Sequence, residues 1–308
     1  MSFLLGWLAF GSDTSAAEAD AGDRKASGTK LGYDNLLVLR YNPLGLKDDF
    51  DLHLRRELLD GGHILTTGTY VGALLHTSFT PTGIHLGLGA ELMPLAVLRL
   101  KAIVEWVPFF GTFDNVQSFP SPTAEHSDTE LDRQGNTGAS YSTQALYIKL
   151  AALLQAKLGP VAARSELTAC HVKIALDEGD TVFYEPEWDL LIQHGGWVLL
   201  SDSDLIYLAE FGLIAGARYS LAHAFYSGDA YAVGESKSNP NTPTQRLGPV
   251  LGYRFESERE RFAKPTLLLL VNWWLSHRYR TGRDVHQGIP YVVLAFSFGG
   301  TLIGGSER

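Results

Sequence analysis

Apolar and polar side chains alternate with a period of two through Gly83–Phe110. Ile84, Leu86, Leu88, Ala90 and Leu92 fall on one parity, and His85, Gly87, Gly89 and Glu91 on the other. This spacing predicts an extended strand with its apolar groups on one face. Met93-Pro94-Leu95 breaks the run, and Pro94 has no N–H to give to a ladder. Beyond it, Leu98, Leu100, Ala102, Val104 and Trp106 share a face, opposed by Arg99, Lys101 and Glu105. The stretch therefore predicts a hairpin of two long strands turning at 93–95, oily on one side and charged on the other.

The same pattern recurs along the chain. Strands are predicted before the hairpin at Asn35–Tyr41, Phe50–Leu58 and Thr66–His76. After it they fall at Thr143–Lys157, Ala162–Leu176, Trp197–Ala209, Leu213–Tyr226, Thr244–Phe255, Leu267–Tyr279 and Gly288–Phe298. Turn signals stand at Asn42–Gly45 and Asp60-Gly61-Gly62. From the third strand onward the connections alternate. Short ones fall at Met93–Leu95, Gly159–Pro160 and Glu210–Gly212, with a medium one at Glu256–Lys264. Long polar ones fall at Gly111–Ser142, Asp177–Gly196, Ser227–Pro243 and Arg280–Gln287.

Strands of about 10 residues exceed the usual ~5–6 of a globular sheet. Long dyad strands joined by alternating short turns and long loops are the pattern of a transmembrane β-barrel. The expected fold is all-β: a closed antiparallel transmembrane barrel of about 12 strands, with short periplasmic turns and long extracellular loops. It is expected to occupy residues 33–300, after a truncated signal segment and flexible tail over 1–32 and before a short tail over 301–308. Within the leader, Phe3–Phe10 is a short apolar run and Ser15-Ala16-Ala17 a small-residue cleavage candidate.

Composition narrows the picture. No stretch reaches the ~20 continuous apolar residues of a membrane helix; the best run, Leu267–Leu275, is interrupted by Asn272. The closed barrel is then the remaining way to span lipid, because every backbone polar group must be paired there. A net charge of −9 argues against nucleic acid as a partner. One cysteine excludes an internal disulfide.

The terminal segment YVVLAFSF, Tyr291–Phe298, resembles the aromatic-ending strand of bacterial outer-membrane β-barrel proteins. With the dyad strands and loop alternation, the chain over Asn35–Phe298 resembles that class in architecture. It departs in carrying residues 299–308 after Phe298. The resemblance implies an outer-membrane location. The implied partners are the lipid bilayer, lipopolysaccharide and the outer-membrane assembly machinery.

If the apolar face meets lipid, the opposite face lines the interior. It carries Arg40, Asp51, Arg55, Glu57, Glu91, Arg99, Lys101, Glu105, Lys149, Arg164, Glu166, Asp202, Asp204, Arg218, Arg246, Arg254 and Arg278. These charges fit an internal salt-bridge network or a selectivity lining for a small charged solute. Arg218, Arg246, Arg254 and Arg278 on the later strands would favour anions. Barrels of about 8 strands are filled by side chains and those of about 16–18 hold an aqueous channel, so 12 leaves both readings open.

Candidates for catalysis are sparse. Asp202 and Asp204 share a face, as paired carboxylates do, but an arginine partner accounts for them more simply. His223 and His277 fall on the outward parity near loop ends. Cys170 has no motif around it, and the His-x-Ser-Asn-Gly pattern of outer-membrane phospholipases is absent. Asp114, Glu125, His126, Asp128, Glu130 and Asp132 in the first long loop fit a calcium site or, more simply, a solvated acidic loop. Trp273 and Trp274 face opposite ways, one to lipid and one to the lumen, where Trp274 packs or offers a stacking platform. The expected function is a narrow channel for small, anionic solutes, with Gly111–Ser142 folding inward as a constriction or outward as a lid. A non-conducting structural or surface-anchor barrel is the alternative, and an outer-membrane lipid-modifying enzyme comes third. No cofactor or metal is expected.

Overall fold

The computed structural model describes residues 28–58, 63, 65–113 and 116–304. The predicted leader motifs, the Asp60-Gly61-Gly62 turn, Asp114 and the last four residues lie outside them. Twelve long strands among the described residues close into one antiparallel barrel. They begin with β1 (Thr29–Tyr41), β2 (Gly45–Glu57), β3 (Tyr70–Thr80), β4 (Gly83–Leu95) and β5 (Leu98–Phe109). After a loop holding β6 (Ser118–Phe119) and helix α1 (Asp128–Gly135) come β7 (Thr143–Leu158) and β8 (Val161–Ile174). A second loop holds β9 (Val182–Glu185) and β10 (Leu190–Gln193). The wall resumes with β11 (Gly196–Leu208), β12 (Leu213–Ala224), β13 (Thr244–Arg254), β14 (Ala263–Ser276) and β15 (Tyr291–Ile303), and β15 pairs with β1 to close it.

The dyad pattern decides which face is which. On β13, Val250 is buried while Leu247, Leu251 and Tyr253 stand exposed. On β2, Asp49, Asp51 and His53 are buried and Leu46 and Leu54 are exposed. Leu88, near the middle of β4, is 69% exposed. Charges inside and leucines outside invert the arrangement of a water-soluble protein. Hydrocarbon is the solvent that makes such an exterior favourable, and closure leaves no strand edge unpaired within it. No helix of the described residues is long and apolar enough to cross a membrane.

Boundaries differ from the sequence expectation where local chemistry intervenes. The β4–β5 reversal lies at Ala96-Val97, and Met93-Pro94-Leu95 belongs to β4 as an irregularity between Leu92 and Leu95, where the missing proline N–H is tolerated. Thr66 and Thr67 are outside β3, because their N–H groups donate to the His63 carbonyl in a turn. β15 runs past Phe298, pairing Thr301 with Gly32 and Ile303 with Leu31. Short and long connections alternate only from β5 onward. The brief β1–β2 and β3–β4 turns share a rim, here the outer one, with the long loops, and β2 ends and β3 begins at the inner rim. Turn residues specify how sharply a chain reverses, not at which rim.

The lumen is not empty. Near its inner end Leu36, Ala162, Ile206, Ile214, Val250 and Leu268 form an apolar cluster. A charged belt lies above it, and above that sit the loop elements.

Candidate functional site: a hairpin seated in a charged lumen

β9 and β10 form a hairpin, with Leu190 opposite Glu185 and Gln193 opposite Val182. β6 adds to the free edge of β9, giving a small three-stranded sheet. Short apolar runs on either side of Pro186 and Asp189 build it: Phe183, Leu190 and Ile192 pack with wall residues Val107, Tyr147, Val172 and Val198. The tip, Glu185–Asp189, crosses the barrel. It leaves the wall between β8 and β11 and reaches β1 and β2, on the opposite side of the ring.

Polar contacts clasp the tip on several sides. Lys47 of β2 donates to Glu187 Oε1 at 2.7 Å. Arg40 of β1 donates to the carbonyls of Glu187 and Pro186. The Tyr147 hydroxyl of β7 donates to the Glu185 carboxyl group. The Trp188 ring lies 6.0 Å from that of Tyr147.

A second set of contacts centres on Arg280, which is 2% exposed. Its Nε and Nη2 donate to Asp189, Nη1 and Nη2 reach the Asp128 carboxylate at 2.9 and 2.8 Å, and Nη1 also donates to Asn42 Oδ1 at 2.9 Å. One guanidinium thus ties the last loop to the hairpin tip, the start of α1 and the β1–β2 turn. His277 Nε2 lies 3.2 Å from Asp189 Oδ2.

The tip carboxyls titrate in opposite senses. Burial and the charge of neighbouring Glu187 push Glu185 up to about 7. Burial also opposes the charge of Asp189, but the Arg280 guanidinium and His277 outweigh it and hold Asp189 well below the usual carboxylate range. Burial of Glu187 is outweighed in the same way, first by the Lys47 ammonium. Burial lowers His126, beneath the rim loops, to about 3.

Below the tip the interior charges pair. Arg55 meets Glu91 at 2.5 Å, Lys101 meets Asp51 at 3.0 Å, and Lys149 and His85 meet Glu105 at 2.8 and 2.9 Å. Arg99 lies 3.7 Å from Glu166, Arg164 lies 3.2 Å from Asp204, and Arg218 is bidentate on Asp204. Asp202 accepts from Ser220 and sits 3.9 Å from Arg218. Among the described residues are cavities of about 40 Å³, one lined by Arg55, Arg99 and Lys101 with Asp51, Glu91 and Glu166, and another by Asp202, Ser220, Arg246 and Trp274; Trp188 borders both. Such volumes hold water or a single small ionic group, not a whole organic solute.

The four late-strand arginines do not form one cluster. Arg218 is spent on Asp204. Arg246 stacks on Tyr291 and Trp274, 4.0 and 4.9 Å from the ring centroids. Arg254 sits at the inner rim, its backbone N–H donating to Gly212. Arg278 lies beyond the end of β14 and donates to the carbonyls of Thr123 and Ala124 and to Asn241, fastening the first loop. Glu57 pairs with exposed Lys30.

His277 is not an outward side chain. The strand ends at Ser276, so parity lapses and the ring turns into the Asp189 contact. His223 packs edge-on against Phe225. Cys170 is buried. The loop acids are engaged by cations: Glu125 with Arg283, Asp128 with Arg280, and Glu130 with Arg133. Among the described residues no group of three His, Cys, Asp or Glu could hold a metal ion.

Sequence reasoning missed the hairpin. The signal was present in Val182-Phe183-Tyr184 and Leu190-Leu191-Ile192, two short β-prone runs about a reversal. Lys47, Asp49, His76 and Arg280 were missed with it.

No family model matches the sequence, and no curated protein matches it. Solved structures of similar shape include the CymD monoaromatic hydrocarbon channel, at 10% identity and TM-score 0.36, covering 90% of this chain and 89% of that one. The translocator domain of the autotransporter NalP from Neisseria meningitidis matches at 14% identity and TM-score 0.40, covering 90% and 88%. The KdgM porin in complex with disordered oligogalacturonate matches at 8% identity and TM-score 0.34, covering 88% and 99%. Channels and a translocator domain stand side by side among them.

Proposed function

We propose that this barrel is a gated outer-membrane channel for small charged solutes, and that the β9–β10 hairpin is its gate. The observation that carries the reading is the placement of the hairpin tip. A loop element, not the wall, fills the outer lumen directly above a belt of ionised side chains. Buried ion pairs are costly relative to apolar packing of the same volume, and ionisable groups at membrane depth ordinarily mark a pathway. A barrel serving only as an anchor gains nothing from either.

Withdrawing the tip removes Glu185, Glu187 and Asp189 from the lumen and frees Arg40 and Arg280, while Lys47 keeps Asp49 at 3.2 Å. The remaining wall then presents cations in excess at its outer mouth, which favours anionic solutes. Recordings in planar bilayers test the proposal. Wild-type protein is expected to give rare current steps, and a variant with residues 185–189 replaced by a Gly-Gly turn is expected to give frequent, anion-selective steps. Silence from both would overturn it.

The apolar cluster near the inner end favours a second reading, a barrel filled throughout that never conducts. The same recording separates the two, because the second reading leaves the shortened variant silent.

A further inference from the structure

We infer that the cavity beside Arg246 is a binding site for a small monovalent anion, either inorganic or the carboxylate of a solute. Three residues that carry donors without acceptors border it. Arg246 has no carboxylate within 4.0 Å among the described residues, and its guanidinium is held by the rings of Tyr291 and Trp274. Trp274 is 2% exposed, lines the cavity, and leaves its buried indole N–H without a partner. Trp188, on the hairpin tip, borders the same cavity, and its buried indole N–H is also unpartnered.

Guanidinium and indole groups donate only. Their missing partner must be an acceptor, and an unpaired cation inside the barrel calls for a negative one. The two carboxylates on the cavity wall are already compensated. Asp202 takes the Ser220 hydroxyl and faces Arg218 at 3.9 Å, and Glu187 is held by Lys47 at 2.7 Å. Arg246 acts on Asp202 only at longer range and is the cation of this wall without an ion pair. Stacking fixes the plane of its guanidinium and keeps its edge N–H groups for the ligand. The volume of about 40 Å³ suits a halide or a lone carboxylate head. Because Trp188 belongs to the hairpin, bound anion bridges gate and wall. The inference rests on the channel reading only in taking this anion as a waypoint for solute.

Anion binding is read on the closed barrel, without any current. Purified protein is titrated with sodium bromide and, separately, sodium formate at constant ionic strength, and the thermal unfolding midpoint is followed. A saturable rise is expected with bromide. Formate distinguishes the sources: a matching rise admits carboxylate heads, and none restricts the site to inorganic anions. Arg246→Gln is expected to weaken half-saturation about tenfold or more, the loss of a charge-assisted donor, whereas lipid-facing Trp273→Phe leaves it unchanged. Bromide anomalous scattering from crystals should place the ion in this cavity. No saturable effect, an equal effect in Arg246→Gln, or bromide found only elsewhere would overturn the site, whatever the recordings show.

Discussion

Replacing Arg280 with methionine tests the gate at its most connected point. The substitution keeps most of the side-chain length and removes five donors. In the closed barrel it leaves Asp189, which is 4% exposed, with only His277 and the Tyr184 hydroxyl as partners. Removing one partner of a buried ion pair costs about 3–5 kcal/mol, and the two remaining contacts hold the loss to about 3 kcal/mol. The Asp128 contact adds little, because that carboxylate is 47% exposed and stays hydrated. In the open state Asp189 returns to water, so the cost falls on the closed state alone. At tenfold per ~1.4 kcal/mol, the open population should rise about 10²-fold. Single-channel recording measures it as open probability, with strand content by circular dichroism confirming the barrel. Adding Asp189→Asn to Arg280→Met removes the stranded charge and should restore part of the closure, a coupling readable as a double-mutant cycle. Equal open probability in wild type and Arg280→Met, with the barrel intact, would refute the reasoning.

Three further outcomes are expected. Glu185 is raised to about 7 in the closed state, so its contribution to closure is full below about pH 4.5, its released value, and lost as pH rises through 7; about 3 kcal/mol of closure disappears by pH 8. Open probability should therefore climb between pH 5 and pH 8, and Glu185→Gln should flatten the profile. Leu88→Arg, placing a charge on the lipid face, should lower unfolding stability in bilayers by about 2–4 kcal/mol, while Leu88→Phe leaves it nearly unchanged. At Gly248 an added Cβ would lie 2.0 Å from the Val271 carbonyl oxygen, so Gly248→Val should cost about 1–3 kcal/mol of overpacking in denaturant titrations.

The wall was legible because lipid imposes a strict rule on every second residue. Leu247, Leu251 and Tyr253 against Val250 and Arg246 could be sorted by parity alone. Parity says nothing once a strand ends. His277 and Arg278 lie one and two residues beyond β14, and the chain there turns inward on Asp189 and the first loop. Nor does parity reveal which loop enters the lumen. The length and polarity of Gly111–Ser142 drew attention to it, but that segment contributes β6 and α1 above the tip. The element that crosses the barrel is the shorter hairpin, whose apolar residues needed a wall to pack on. Pairing among the interior charges followed from their mixed signs. That Arg246 forms no ion pair depended on register, since it lies opposite Trp274 and Ser220 rather than a carboxylate.

The claim that the hairpin opens is tested most directly by tethering it. Cysteines replace Lys47 and Glu187, whose side chains meet at 2.7 Å, in a Cys170→Ala background, and a short, cleavable bis-thiosulfonate joins them. The tethered barrel should be silent in a planar bilayer, and cleavage by reductant should bring current steps at least as frequent as those of the wild type. Identical currents before and after cleavage would contradict the account.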